Sequence, residues 1–293
     1  MTTTATAESQ LAALEATLRT YQVPLAVAFS GGVDSSVVAL AATRALGHEA
    51  VACVAAKSES NTDEDIALCR EIAAAHGLRL EVIEYSELAI PNYAENPVNR
   101  CYFCKSELYT RLGGLADAHG WNTVLDGSNA DDAGDYRPGM KAVGERGVRS
   151  PLREAGIDKE GVRAIAAHLG LANHDRPSSP CLSSRVPYGE TITREKLQQV
   201  AGAEAFLRGL GLRELRCRHH DKVARIEVPD DQMAAVMEHR SAIVAELRRL
   251  GFTWVALDLA GFRSGSLNAV LDSATLARGR TAPLDHSPQK TKI

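Results

Sequence analysis

Ala26-Val27-Ala28-Phe29-Ser30-Gly31-Gly32-Val33-Asp34-Ser35-Ser36 is the stretch on which the fold of this chain turns. The apolar run Val23 to Phe29 has the length and composition of a buried parallel strand. Ser30-Gly31-Gly32 stops it, and a helical pattern runs from Asp34 to Leu46. Paired glycines let the backbone turn tightly and approach a ligand with no Cβ in the way. The helix N-terminus behind them offers unpaired N–H groups and a positive dipole end to an anion. Ser30, Ser35 and Ser36 add hydroxyls, so the segment has the parts of a phosphate cradle. No lysine follows the glycines, which separates it from a Walker A loop.

Working outward, strand-like and helix-like segments alternate through the first 170 residues. Strands are predicted at 23–29, 50–56, 78–84 and 122–126, and helices at 34–46, 62–76, 104–119 and 158–169, after a short amphipathic helix at 7–20. Such alternation predicts parallel βαβ units. Ligands of such sheets bind beyond the carboxyl ends of the strands, where the Ser30 loop, Ala56-Lys57-Ser58 and Asp126-Gly127-Ser128 all fall. A Pro/Ser-rich segment, 172–191, interrupts the pattern, and irregular stretches of that length are commonly functional. Beyond it a helix at 193–210, strands at 213–219 and 222–228, a helix at 231–249 and a strand at 252–259 predict a smaller α+β domain. The boundaries expected are 1–190, 191–278 and a disordered tail, 279–293.

Composition narrows the class. The chain has 293 residues, 45% hydrophobic and 24% charged, with net charge −4. These are globular values, and the slight acidity argues against a broad nucleic-acid surface. No apolar run is long enough for a membrane span, and residues 1–10 lack the basic-then-apolar order of a secretory signal. Six cysteines in this length do not make a disulfide scaffold, and the cytoplasm is the expected compartment.

Three cysteines stand apart. Cys101 and Cys104 are spaced C-x-x-C where a helix begins, placing both thiols on one face. Cys181 lies in Ser178-Ser179-Pro180-Cys181-Leu182-Ser183-Ser184-Arg185, and its neighbouring arginine predicts a lowered thiol pKa. Cys53, Cys69 and Cys217 fall on predicted strands or helices and read as structural. Three thiols fit either a zinc site completed by His174 or an iron–sulfur cluster with one iron left open. Side chains 216 and 218 share one face of a strand, which suits an anion clamp.

Ser30-Gly31-Gly32-Val33-Asp34-Ser35 resembles the SGGxDS PP-loop of the N-type ATP pyrophosphatases. Further blocks are similar to the LarE family of sulfur transferases of nickel-pincer nucleotide biosynthesis. They are Cys101-Tyr102-Phe103-Cys104-Lys105, Asp126 to Asp132, Asp135-Tyr136-Arg137-Pro138-Gly139, Ser150-Pro151-Leu152, Cys181 to Arg185, Pro187-Tyr188-Gly189 and Leu257 to Gly265. The resemblance spans about residues 10 to 275. It implies an α/β fold, a parallel-sheet PP-loop ATP pyrophosphatase domain with a smaller C-terminal α+β domain.

The resemblance further implies adenylylation of the carboxylates of pyridinium-3,5-biscarboxylic acid mononucleotide with release of pyrophosphate, followed by displacement of AMP by sulfur. Ser30, Gly31, Gly32, Asp34, Ser35, Ser36 and Gly127 would serve ATP, with Asp34 near Mg²⁺. Arg216, Arg218 and Arg263 would hold the substrate phosphate, and Glu204 and Glu227 would lie near a metal. Arg185 would orient the Cys181 loop. Three cysteines imply the family type that carries sulfur on a [4Fe–4S] cluster held by Cys101, Cys104 and Cys181. The other type sacrifices the Cys181 sulfur. Implied partners are a sulfide donor, other proteins of the pathway and further copies of this chain, as a trimer or hexamer. Competing readings are a PP-loop tRNA thiolase, an amide-forming PP-loop ligase and a non-enzymatic nucleotide-binding module.

Overall fold

The structure is a computed structural model, describing residues 6–134, 139–177, 180–263 and 265–271. The expected tail, 279–293, and Asp135 to Pro138, Ser178, Ser179 and Ser264 of the motifs above lie outside these residues.

Helix α1 (Ala7–Leu18) leads into β1 (Leu25–Ala28), α2 (Val33–Leu46), β2 (Val51–Lys57), α3 (Asp63–His76), β3 (Leu80–Glu84), α4 (Arg100–His119) and β4 (Thr123–Leu125). The four strands form one parallel sheet in the order β3-β2-β1-β4. Strand alternation divides its side chains between two cores. Leu25, Val27, Val51, Cys53 and Ala55 point to the side of α1 and α2. Ala26 and Val54 point to the other, with Tyr109 and Leu112 of α4. A sheet buried on both faces is the setting in which short apolar runs read as parallel strands.

Local sequence sets the helix bounds. Thr62 accepts from the Asp65 N–H while Asp65 returns a bond to the Thr62 N–H, a capping box that starts α3. Gly77 and Gly120 end α3 and α4 in left-handed conformation. Helix α4 starts at Arg100, not 104, which brings both Cys101 and Cys104 into its first turns. Then come α5 (Gly139–Glu145), the single turn α6 (Pro151–Glu154) and α7 (Lys159–His168), which packs beside α1 and α2. Asp158 caps α7 by accepting from the Gly161 N–H.

Among the described residues of the irregular segment there is one 3₁₀ turn, Leu182–Arg185. Helix α8 (Arg194–Gly209) precedes β5 (Arg216–His220), β6 (Val223–Glu227), α9 (Met233–Glu238), α10 (Arg240–Arg249) and β7 (Trp254–Leu257). Here β5 pairs antiparallel and β7 parallel with β6. One face of this mixed sheet buries Cys217, Ala224 and Ile226 under α8 and α10. The expected single helix at 231–249 is two, because His239, at ψ 8°, departs from helical geometry between them. No glycine or proline marks that break.

Candidate active site

The Ser30 loop joins β1 to α2 at the carboxyl edge of the sheet. Gly31 takes φ +70°, and a Cβ there would fall 3.0 Å from the Cys69 Sγ. Left-handed backbone and a crowded neighbour both require glycine. Gly32 is the N-cap of α2. Ser30 and Ser35 hydroxyls lie 3.2 Å apart, and the Ser35 hydroxyl donates to the Gly32 carbonyl at 3.0 Å. Ser36 is fully buried, and its hydroxyl donates to the same carbonyl at 2.9 Å. It therefore braces the loop from behind. Asn173 clamps this arrangement, donating to the Gly31 carbonyl at 2.9 Å and to the Ser36 hydroxyl at 3.1 Å.

Asp34, in the first turn of α2, faces two side chains from distant segments. Asn129 donates to its Oδ1 at 2.9 Å, and the Lys159 ammonium donates to its Oδ2. Lys159 opens α7, where its own N–H is held by Asp131 Oδ2 at 3.0 Å. A cation thus reaches the cradle although none follows the glycines in sequence. Nothing local marks Lys159. Asn129 belongs to the Asp126 to Asp132 block, and its neighbour Asp126 accepts the Ser128 and Ser150 hydroxyls, each at 2.7 Å. At Gly127 the limit is steric. A Cβ there would fall 2.8 Å from the Ser35 N and 3.1 Å from its Cα. The glycine lets the end of β4 meet the backbone of α2.

The three cysteines gather beyond β2 and β3. Leu182 N–H donates to the Ser60 carbonyl at 3.0 Å, pinning the Cys181 turn to the loop after β2. Arg100, 2% exposed, donates to Asn96 Oδ1 at 2.5 Å and to the Ser183 carbonyl at 3.0 Å, and its guanidinium reaches the Cys101 Sγ at 4.0 Å. Burial opposes its charge, yet the Cys181 and Cys101 thiols beside it outweigh that and raise its pKa. Cys104 donates to the buried Glu87 carboxylate at 2.9 Å. Burial first, then Glu87, push the Cys104 thiol well up.

Cys181 corrects the expectation of a lowered pKa. Burial raises it, with Cys101 and Glu87 adding to the rise, and the charges of Arg100 and, behind it, Arg185 offset only part. Cys53, Cys69 and Cys217 are buried and free, as structural thiols should be. His174 is exposed, with Nδ1 3.0 Å from the Leu171 carbonyl. Among the described residues, no three His, Cys, Asp or Glu side chains converge as ligands of a single ion. The thiols are neighbours without being closed on a common point.

The second face of the mixed sheet is charged and turned toward the Cys181 turn. Arg185, 1% exposed, forms a two-pronged pair with Glu204, at 2.8 and 2.9 Å, and donates to the Pro180 and Cys181 carbonyls. Bonds from Arg185 overcome burial and hold Glu204 below the usual carboxylate range. Arg218 pairs in the same fashion with Glu227, at 3.1 and 2.9 Å, and donates to the Ser184 carbonyl at 2.9 Å. Glu204 and Glu227, expected near a metal, are thus engaged by arginines. Arg216 lies 5.1 Å from the Phe262 ring, and burial together with Arg185 pushes its pKa down to about 10. Arg263, next to Phe262, is exposed. Arginines outnumber carboxylates here, so the face retains positive charge.

A cavity of ≈ 500 Å³ separates the loop after β2 from α8, lined among others by Lys57, Ser58, Asn61, Leu182, Arg194 and Leu197. It opens beside the strand that carries the Ser30 loop, where a doubly wound sheet binds ligands.

Residues 11–132 match the asparagine synthase family. The chain is 40% identical over 273 residues to the pyridinium-3,5-bisthiocarboxylic acid mononucleotide synthase of Lactiplantibacillus plantarum, covering 93% of this chain and 99% of that protein. The chain belongs to the LarE family. Two further relatives of this LarE chain are uncharacterized proteins. That of Synechocystis is 49% identical over 84% of this chain and 92% of its own length. That of Methanocaldococcus jannaschii is 26% identical over 81% of this chain and 90% of its own. LarE membership and the PP-loop make the chain an ATP-dependent sulfurtransferase.

Proposed function

We propose that the chain converts pyridinium-3,5-biscarboxylic acid mononucleotide to its thiocarboxylate forms, by adenylylating each carboxylate with release of pyrophosphate and replacing AMP with sulfur. The observation that carries this reading is the meeting of Cys101, Cys104 and Cys181, from two separate segments, beyond the sheet edge that bears the Ser30 loop.

In this reading Ser30, Gly31, Gly32 and Ser35 hold the β- and γ-phosphates of ATP with the N–H groups of the α2 N-terminus. Asp34, whose carboxylate meets Asn129 and Lys159, would hold Mg²⁺, which neutralises phosphate charge. A carboxylate is a poor electrophile, and the mixed anhydride with AMP supplies its leaving group. Arg216, Arg218 and Arg263 receive the phosphate of the mononucleotide, which fits a face with surplus positive charge. Arg185, held by Glu204, fixes the Cys181 turn through the carbonyls of Pro180 and Cys181.

Cys101, Cys104 and Cys181 would hold a [4Fe–4S] cluster. Three thiolate-forming side chains on two segments, with the buried Arg100 guanidinium to balance their charge, are the donor chemistry such a cluster takes. When bound, the cluster supplies a sulfur-binding iron. A sacrificial Cys181 would leave Cys101 and Cys104 without a task. We place the domain limits at 1–190 and 191–278, and the enzyme in the cytoplasm as a homo-oligomer. No helix among the described residues is long and apolar enough to cross a membrane.

The test follows pyrophosphate release by anaerobically purified protein with ATP, the mononucleotide and sulfide. Release that depends on the mononucleotide, with oxygen replaced by sulfur in the product mass, supports the reading. Release with ammonia as acceptor, or none with the mononucleotide, overturns it.

A further inference from the structure

We propose that Asn129 and Asp131 are positioning residues of the ATP site, which act by fixing Asp34 and the Lys159 ammonium beside the phosphate-binding loop. The inference rests on the reading that the Ser30 loop holds the phosphates of ATP.

Four residues from three segments close a ring of hydrogen bonds. Asn129 Nδ2 donates to Asp34 Oδ1 at 2.9 Å, and Asn129 Oδ1 accepts from the Asp131 N–H at 3.0 Å. Asp131 Oδ2 accepts from the Lys159 N–H at 3.0 Å, and the Lys159 ammonium donates to Asp34 Oδ2. Asp34 lies in the first turn of α2, Asn129 and Asp131 follow β4, and Lys159 opens α7. A further bond, from the Ala130 N–H to the Ile157 carbonyl at 2.9 Å, ties the last two of these segments together.

The chemistry of each link selects its residue. Asn129 is 5% exposed and uses both ends of its amide, a donor toward a carboxylate and an acceptor toward an N–H. Turned the other way, the amide would set its oxygen against Asp34 and its NH₂ against the Asp131 N–H, so one orientation alone satisfies both. Aspartate in its place would offer acceptors only, and leucine neither group. Asp131 takes up the N–H of the first residue of α7, a donor with no partner inside the helix, and sets a negative charge at that end. It anchors the backbone of Lys159, while Asp34 anchors the far end of the side chain.

A lysine side chain carries about 2 kcal/mol of rotamer entropy. Held at both ends, Lys159 has its ammonium in place before the nucleotide arrives. Donors arranged in advance beside developing charge need no rearrangement during the reaction. Asn129 and Asp131 thus act on ATP through Asp34 and Lys159.

The test is a double-mutant cycle in the full-length protein. Asn129→Leu, Lys159→Met and the two combined are compared with wild type in two ways. One is kcat/KM for ATP, from pyrophosphate release with the mononucleotide and sulfide. The other is calorimetric titration with ATP and Mg²⁺, and thermal unfolding checks the fold. Asn129→Leu is expected to lower kcat/KM roughly tenfold, and the combination to fall no further than Lys159→Met alone. Affinity for ATP should show the same non-additivity. A merely structural Asn129 would make the two losses multiply, and that result, or wild-type values in Asn129→Leu, would overturn the role. A wild type that binds ATP but releases no pyrophosphate with the mononucleotide would overturn the proposed substrate, and the titration cycle then decides on Asn129. One that binds no ATP would overturn the phosphate reading, and this inference with it. Should Asn129→Leu fail to fold, Asp131→Ala, at an exposed position, takes its place in the cycle. Asp131→Asn, which keeps an oxygen for the Lys159 N–H, should recover most of its loss. Absence of that recovery, or losses that multiply with that of Lys159→Met, would count against the role.

Discussion

Lys159 places its ammonium on the Asp34 carboxylate, joining the first turn of α7 to the first turn of α2 across 125 positions of sequence. The contact gives the phosphate cradle a cation that its own loop lacks. A charged hydrogen-bond donor at such a site is worth about 1.5–3 kcal/mol. Lys159→Met should therefore lower kcat/KM for ATP by about 10- to 100-fold. Lys159→Arg should retain part of the activity. Steady-state pyrophosphate release checks both, and wild-type kinetics in Lys159→Met would remove Lys159 from the phosphate site.

Gly127→Ala tests the approach of β4 to α2. Its Cβ would meet the Ser35 N at 2.8 Å, where only backbone could give way. Overpacking of this kind costs about 1–3 kcal/mol. Because the strain falls on the loop, ATP binding should weaken as well as the thermal midpoint. Calorimetry with and without ATP separates the two, and a protein unchanged in both would show that the strand moves aside freely.

Arg185 and Glu204 test how the Cys181 turn is held. Removing one partner of a buried pair leaves an uncompensated charge and costs about 3–5 kcal/mol. Glu204→Ala should lose stability on that scale, while Arg185→Met with Glu204→Met should recover part of it. Recovery will be incomplete, because Glu204 also accepts from Arg208 and the Cys217 N–H. Denaturant unfolding of wild type and the two variants measures the loss and its recovery.

His219 predicts a pH dependence of stability. Its ring is 2% exposed against Phe252, with Nε2 2.9 Å from Gln199 Oε1 and Nδ1 buried without a partner. Burial, with Lys196 and His220 adding and Asp221 opposing, pushes its pKa from 6.5 down to about 4. The unfolded chain thus binds a proton that the folded chain refuses between those values. The stability is fully present above 6.5 and is lost as pH falls toward about 4. His219→Gln should flatten the thermal midpoint over that window, relative to wild type.

Much of the fold was legible because it rests on local signals. The buried strands β1 and β2 are short apolar runs, the helical patterns at 62–76 and 158–169 correspond to α3 and α7, and Gly31-Gly32 announces the loop. Cys101 and Cys104 were legible as a pair. What escaped depends on distant partners. No local pattern brings Lys159 to Asp34, or Glu87 to Cys104. Arg185 stands four residues from Cys181, so its charge was assigned to the thiol. In the structure Glu204 pairs with that guanidinium, Arg100 is the larger cationic influence on the sulfur and Arg185 the smaller, and burial dominates. The strand period placed residues 216 and 218 on one face, yet only the pairing of β5 with β6 shows that Arg218 meets Glu227. The break at His239 carries no helix-breaking residue and was read as continuous helix.

The central claim is that sulfur passes through the site of three cysteines without consuming any of them. Its most direct test counts thiocarboxylate formed per chain in anaerobic protein supplied with ATP, mononucleotide and sulfide, with the mass of the Cys181 peptide determined afterwards. The account predicts many products per chain and an intact Cys181. Product that stops at one sulfur per chain, with Cys181 converted to dehydroalanine, would contradict it.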